Sequence, residues 1–270
     1  MPSTSTQNPL PEPESQWIAS ERGRLFAQRW PGRDAAAAPI VLLHDSLGCI
    51  ALWREFPARL AEASGREVIA YDRLGFGRSD PHPGAPGADF VTGEAAGGLR
   101  AVCDALRLQR FVLFGHSVGG GMAVAGAALH RSRCSGLIAE SAQAFVEDRT
   151  RAGILAARAA FARPGQMERL RKYHGDKAPW VLHAWIDTWL DDGFAGWNLD
   201  APLARVACPA LVVHGDGDEF GSARHPERIA AGVAGPATLR LLADCGHVPH
   251  RERGDEVLGI VAAWLESSGA

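Results

Sequence analysis

Residues Phe111 to Leu129 read FVLFGHSVGGGMAVAGAAL. FVLFG is a short, continuous apolar run, the pattern of a strand covered on both faces, and VGGGMAVAGAAL is predicted to be a helix. Ser117 therefore falls in the turn between them, framed by Gly115 and Gly119. A chain with 31 glycines and 14 serines should show Gly-x-Ser-x-Gly by chance about 0.2 times. The pattern alone is weak, and its strand-to-helix context is what points to a nucleophile elbow. Flanking glycines suit a strained turn and close strand–helix approach. The bland alternative is a glycine-rich packing turn with an incidental serine. A phosphate cradle lacks its Gly-x4-Gly-Lys-Ser/Thr pattern.

Similar apolar runs lie on either side of this one. They are IVLL (40–43), VIAY (68–71), GLIAE (136–140), ALVVHG (210–215) and TLRLL (238–242), all of the type expected when helices cover both faces of a sheet. Ala95, Leu99, Val102 and Leu106 recur at helical spacing, as do Val257, Val261, Trp264 and Leu265. Near the start, QWIAS and RLFAQRW flank Arg22-Gly23 and are predicted to be an antiparallel hairpin. The alternation predicts an α/β fold: a doubly wound, mostly parallel sheet with right-handed crossovers.

The rhythm breaks once, where roughly seventy residues without a strand signal separate GLIAE from ALVVHG, although a crossover needs only a dozen or more. This insertion between the sixth and seventh strands holds RAGILAARAAFA, QMERLRKYH and WVLHAWIDTWLDD, and four of the eight tryptophans: Trp180, Trp185, Trp189 and Trp197. It is predicted to be a helical lid over the carboxyl ends of the strands, where open α/β sheets bind ligands. The expected organisation is a disordered tail over 1–15, a core over 16–144 and 201–270, and the lid over 145–200. Ala35 to Ala38, before Pro39, are expected to be loop.

Composition narrows the partners. With 270 residues and 46% hydrophobic content the chain can bury one sizeable core. Its 28 Lys and Arg against 31 Asp and Glu give a formal charge of −3, no footprint for nucleic acid or an anionic membrane. A small-molecule partner is expected; the oligomeric state is not legible. Cys49, Cys103, Cys134, Cys208 and Cys245 are odd in number and scattered, so they are expected to be reduced thiols rather than a disulfide framework or a zinc site. MPSTSTQNPLPEPESQ has no basic region followed by an apolar run, and no stretch approaches 18 apolar residues, which predicts a cytoplasmic protein.

A serine hydroxyl needs a base, and the base needs an acid to fix its tautomer. Asp218, three residues past Gly215 in ALVVHGDGDEF, and His247, after the next strand in LLADCGHVPHRE, are the candidates. Their chain order with Ser117 is the Ser-acid-His order of α/β-hydrolases. Glu140, at the end of GLIAE, and Asp216 are alternative acids, and His250 is an alternative base. His44 and His116 are expected to be hydrogen-bonded structural histidines. Asp244, Cys245, His247 and His250 match no tetrahedral metal site, so neither metal nor cofactor is expected.

The chain resembles the α/β-hydrolase superfamily over nearly its whole length, through the His44 turn, YDRLGFGRSD (71–80), GHSVGG, the lid insertion, HGDGD and GHVPH. HDSLG departs from the commoner His-Gly turn and is similar to the turn of 3-oxoadipate enol-lactone hydrolases. The resemblance implies a serine hydrolase acting on a small-molecule ester, lactone or related acyl bond. It also implies that the turn after the third strand and the residue after the nucleophile donate the two oxyanion amides, here Ser46 and Val118. Asp72 and Arg73 are expected to tie the turn after the fourth strand. The lid tryptophans Trp180, Trp185 and Trp189 are divided between packing and substrate contact, and a medium-sized apolar or aromatic moiety is expected. Arg151, Arg158 and Arg171 are expected to form a solvated face rather than a carboxylate clamp. Alternatives on the same triad are a cofactor-free haloperoxidase or perhydrolase and a carbon–carbon bond hydrolase. A further alternative is a non-catalytic ligand-binding relative.

Overall fold

Each half-buried or fully buried strand finds its partner in one sheet. The computed structural model describes residues 12–270. Its strands are β1 (Glu14–Ser20), β2 (Gly23–Trp30), β3 (Ile40–Leu43), β4 (Val68–Tyr71), β5 (Phe111–His116), β6 (Cys134–Glu140), β7 (Ala210–Gly215) and β8 (Ala237–Leu242). The sheet order is β1-β2-β4-β3-β5-β6-β7-β8. The β1–β2 and β2–β4 pairs are antiparallel, and every pair from β4 to β8 is parallel.

Among the described residues the α-helices are α1 (Phe56–Ser64), α2 (Phe90–Ala96), α3 (Gly98–Ala105), α4 (Val118–Leu129), α5 (Asp148–Phe161), α6 (Gln166–His174), α7 (Ala178–Leu190), α8 (Asp200–Leu203), α9 (Arg224–Gly232), α10 (Pro249–Glu252) and α11 (Gly254–Ser268). Alternation along the central strands explains their continuous apolar runs. Val41, Leu43, Phe111 and Leu113 enter the core shared with α2, α3, α4 and the inserted helices. Ile40, Leu42, Val112 and Phe114 enter the other, against α1 and α11.

Helices α5 to α8 form the lid between β6 and β7. Its base is drawn together by an isolated bridge between Phe145 and Asn198 and by the Leu199 amide donating to Ala144 O at 2.8 Å.

Three expectations need correction. The expected tail over 1–15 lies outside the described residues as far as Pro11, but Glu14 and Ser15 belong to β1, paired with Arg29 and Gln28. The helical pattern from Ala95 to Leu106 is two helices, because Gly97 adopts φ −103° and ψ −94° and α3 ends before Leu106. Finally, TLRLL is not covered on both faces: β8 is an edge strand, and Leu241 is 49% exposed. No helix among the described residues is long and apolar enough to cross a membrane.

Candidate active site

The turn from β5 to α4 is tight because two glycines let backbones meet. A Cβ on Gly115 would lie 2.0 Å from Gly119 O, and one on Gly119 would lie 2.2 Å from Leu43 O. Between them Ser117 has φ 57° and ψ −125°, a left-handed conformation costly for a residue with a Cβ. Neighbours hold it there: its amide donates to Glu140 O at 2.9 Å, and its carbonyl accepts from Gly120 N at 2.8 Å.

The loops after β7 and β8 bring Asp218 and His247 to this turn. His247 Nε2 lies 3.0 Å from Ser117 Oγ, and His247 Nδ1 lies 2.9 and 2.8 Å from the two Asp218 oxygens. Asp218 Oδ1 also accepts from the amides of Phe220 at 2.7 Å and Gly221 at 3.1 Å. These bonds define roles in space: the carboxylate fixes the His247 proton on Nδ1, leaving Nε2 to accept from the serine. Burial alone would discharge both partners, but their mutual hydrogen bond and attraction prevail. His247 is raised above 6.5 and Asp218 is lowered below 3.8. The His116 ring Nε2–H donates to His247 O at 2.8 Å, and the Phe220 ring lies 4.8 Å from the imidazole, fixing its loop and its plane.

Ser46 and Val118 line one cavity of about 480 Å³. Among the described residues neither amide donates to a backbone carbonyl, so both are free to meet an oxyanion. Trp180, Trp185 and Trp189 line the same cavity, although Trp189 is otherwise packed on Phe194 and Trp197. Trp180 is oriented by its Nε1–H bond to Gly84 O at 2.8 Å and by Phe76 and His82. Arg151, Arg158 and Arg171 do not line it; Arg151 and Arg171 pair with Asp192 and Glu168.

The competing residues are occupied elsewhere. Glu140 Oε2 meets His250 Nδ1 at 2.5 Å, in a pocket closed by Trp53 and Phe56. Burial pushes Glu140 up to about 7 and His250 down to about 3, so the shared proton favours the carboxyl group. Asp216 is exposed. His116, Glu140 and His250 do converge within 4.8 Å, but hydrogen bonds already engage them. The residues Asp244, Cys245, His247 and His250 do not form such a cluster. All five cysteines are free thiols, with Cys134 and Cys208 sulfurs 3.9 Å apart.

The turn after β4 is tied mainly by Asp72, whose carboxylate accepts from the amides of Ile50 and Arg78, each at 2.7 Å. Arg73 ties it through its carbonyl, which accepts from Phe76 N at 2.9 Å, and reaches outside it with its other groups. Its backbone amide donates to His44 Nε2 at 3.1 Å, and its Nη2 donates to Asp45 O at 2.8 Å. Sequence reasoning also missed Gln143, whose Oε1 lies 3.4 Å from Ser117 Oγ; nothing in its spacing marks it. It missed Gly93 too, which lines the same cavity as the tryptophans and where a Cβ would meet nothing within 4 Å.

A strained serine hydrogen-bonded to a histidine, and through it to an aspartate, stands one residue before Val118 of the lidded cavity, an arrangement of the kind found in α/β-hydrolases. Residues 38–175 match the model of the alpha/beta hydrolase fold family, and this chain belongs to that family. It is 30% identical to the human serine hydrolase BPHL over 209 residues, which cover 74% of this chain and 69% of that protein. It is 27% identical to the 2-hydroxymuconate semialdehyde hydrolase of Pseudomonas sp. strain CF600 over 268 residues, covering 87% of this chain and 89% of that protein. Among solved structures, the enol-lactonase from Burkholderia xenovorans LB400 superposes with a TM-score of 0.72 at 24% identity, covering 93% of this chain and 100% of that one. The chain also matches two mammalian relatives, from mouse and rat, spanning only 36% and 32% of their length.

Proposed function

We propose that this α/β-hydrolase cleaves a carboxylic ester, lactone or related acyl bond of a small molecule through an acyl-enzyme on Ser117. The observation that carries the reading is the continuous hydrogen-bonded line Ser117–His247–Asp218, set beside the two free amides. His247 takes the Ser117 proton as Oγ attacks the carbonyl carbon. The tetrahedral oxyanion binds the amides of Ser46 and Val118, and His247 returns the proton to the leaving alkoxide. Water then adds to the acyl-enzyme with His247 again as base, releasing the acid and the free serine. A panel of p-nitrophenyl esters and lactones tests this. If peroxide-dependent halogenation outpaced every hydrolysis on the panel, the perhydrolase alternative would replace it.

His247 accepts a proton only when neutral, so its raised pKa sets the acid limb. The rate constant kcat/KM is expected to fall with decreasing pH through an apparent pKa above the ordinary value of about 6.5. A profile flat from pH 5 to 8 would remove His247 as the base.

The cavity volume lies in the range of small-molecule sites, about 300–1,000 Å³, and three tryptophans give it an apolar wall. This supports a medium-sized apolar or aromatic moiety. Gly93 sits in α2 with open space at its Cβ, so Gly93→Leu should fold at least as well as the parent, since glycine inside a helix costs about 1 kcal/mol relative to better helix formers. Its side chain would fill open space beside a residue that lines the cavity. Turnover of hexanoyl or phenylacetyl esters should drop at least about tenfold relative to acetyl esters, or about 1.4 kcal/mol. An unchanged chain-length profile would place the acyl group elsewhere.

A further inference from the structure

The peptide linking Asp45 to Ser46 is gripped from its carbonyl side. Asp45 O accepts from Arg73 Nη2 at 2.8 Å and from His44 Nδ1 at 2.9 Å. His44 Nε2 accepts the Arg73 amide proton, so a neutral His44 must carry its own proton on Nδ1, where it is given to Asp45 O. Burial, reinforced by the Arg73 charge, lowers the His44 pKa well below 6.5, which keeps the ring neutral.

Arg73 is an expensive residue to place here. It is only 5% exposed and forms no salt bridge among the described residues, and its Nε has no partner. Glu94, the carboxylate that acts on it most strongly, is engaged by Tyr71 OH at 2.7 Å. The guanidinium stacks on the Phe76 ring 4.2 Å away, lines the cavity, and sets Nη2 2.8 Å from Asp45 O and 3.4 Å from the protonated His44 Nδ1, so Asp45 O is its hydrogen-bond acceptor. Burying a cation without a carboxylate is unfavourable, and the hydrogen bonds of the Asp72 turn do not require it.

Carbonyl and amide of one trans peptide point in opposite directions in one plane. Two donors on Asp45 O therefore fix the direction of the Ser46 N–H. A cation on the same oxygen polarises the peptide and strengthens that N–H as a donor, the cooperative effect of linked hydrogen bonds in a low-dielectric site. We infer that Arg73 is a positioning residue for the acyl transfer proposed above: with neutral His44 it clamps the Asp45–Ser46 peptide and strengthens the Ser46 amide toward the oxyanion. The inference rests on the serine-hydrolase reading, and Ser117→Ala separates the two. If Ser117→Ala kept its activity, that reading would fall; if it were inactive while Arg73 proved dispensable, only the role of Arg73 would fall.

The test compares Arg73→Met, Arg73→Gln and Arg73→Lys in the full chain, by ester kinetics, fluorophosphonate inactivation and thermal unfolding. Removing a whole oxyanion donor costs about 10²–10³ in kcat, so weakening one should cost Arg73→Met about 10–100-fold. The fluorophosphonate rate should fall in parallel, with KM within about threefold and the acid-limb pKa unmoved, because the loss belongs to the transition state. Arg73→Lys keeps a charged donor and should recover at least about fivefold over Arg73→Gln, which keeps a donor without charge. That Lys-to-Gln ratio decides the matter even if Arg73→Met fails to fold. A raised KM at constant kcat would make Arg73 a substrate-binding group instead. Equal losses in Lys and Gln, in step with lowered Tm, would make it a packing residue.

Discussion

Ser117→Ala is expected to unfold at the wild-type temperature and to lose about 10⁶ in kcat, the scale of a nucleophile knockout in a serine protease of another fold. Stability should hold because alanine keeps the Cβ, so the strain at φ 57° is the same before and after, and the turn stays fixed by the Glu140 and Gly120 backbone bonds. Among the described residues the missing Oγ has two side-chain partners, His247 Nε2 and the more distant Gln143 Oε1. The free amides of Ser46 and Val118 remain, so some rate above that in water should persist. A fluorophosphonate should label the wild type at Ser117 and leave the variant unlabelled. Labelling that survived in Ser117→Ala would mean another nucleophile and would end the acyl-enzyme proposal.

What could be read in the sequence and what could not follow from the range of the forces involved. The β5–α4 unit was legible because its signals are local: apolar residues alternating toward two cores, and glycines required by backbone contact within a few residues. The lid was legible as a gap in that rhythm. Position in the sheet is not local, so TLRLL looked like a covered strand although β8 is the edge, where only one neighbour and partial cover exist. The break at Gly97 was lost because an apolar spacing of three and four survives a kink. In the candidate site, Ser117, Asp218 and His247 could be proposed from strand ends and chain order, and the structure brings them together. Adjacency pairs Arg73 with Asp72 in tying the turn, and the Arg73 carbonyl does serve there. Its side chain instead crosses to the carbonyl of Asp45, 28 residues earlier, and no spacing rule reports such a contact. Gly93 was silent for the opposite reason: its significance is the empty space beside it.

Asp218→Asn is expected to lower kcat about 10⁴-fold, as the equivalent change does in trypsin, whereas Glu140→Gln should stay within about tenfold of wild type, or about 1.4 kcal/mol of barrier. The local hydrogen bonds give the reason. Two amides, of Phe220 and Gly221, donate to Asp218 Oδ1, so an asparagine must put its carbonyl oxygen there. Its NH2 group then takes the Oδ2 position, 2.8 Å from His247 Nδ1, where two N–H donors cannot face each other. The asparagine Oδ1 stays 2.9 Å from Nδ1 but already accepts two amides, so His247 is expected to favour accepting from the NH2 on Nδ1 and carrying its proton on Nε2, and Ser117 then loses its acceptor. Glu140 is different, because burial already pushes its pKa up to about 7. A glutamine resembles its protonated form, can still donate to His250 Nδ1, and leaves the Asp218–His247 pair untouched. Asp218→Asn should also lose the acid limb assigned to His247, while Glu140→Gln should keep it. If Glu140→Gln were the inactive variant and Asp218→Asn the active one, the acid would belong at the end of β6. His247 would then have to exchange its two bonds to Asp218 for a carboxyl group that now pairs with His250.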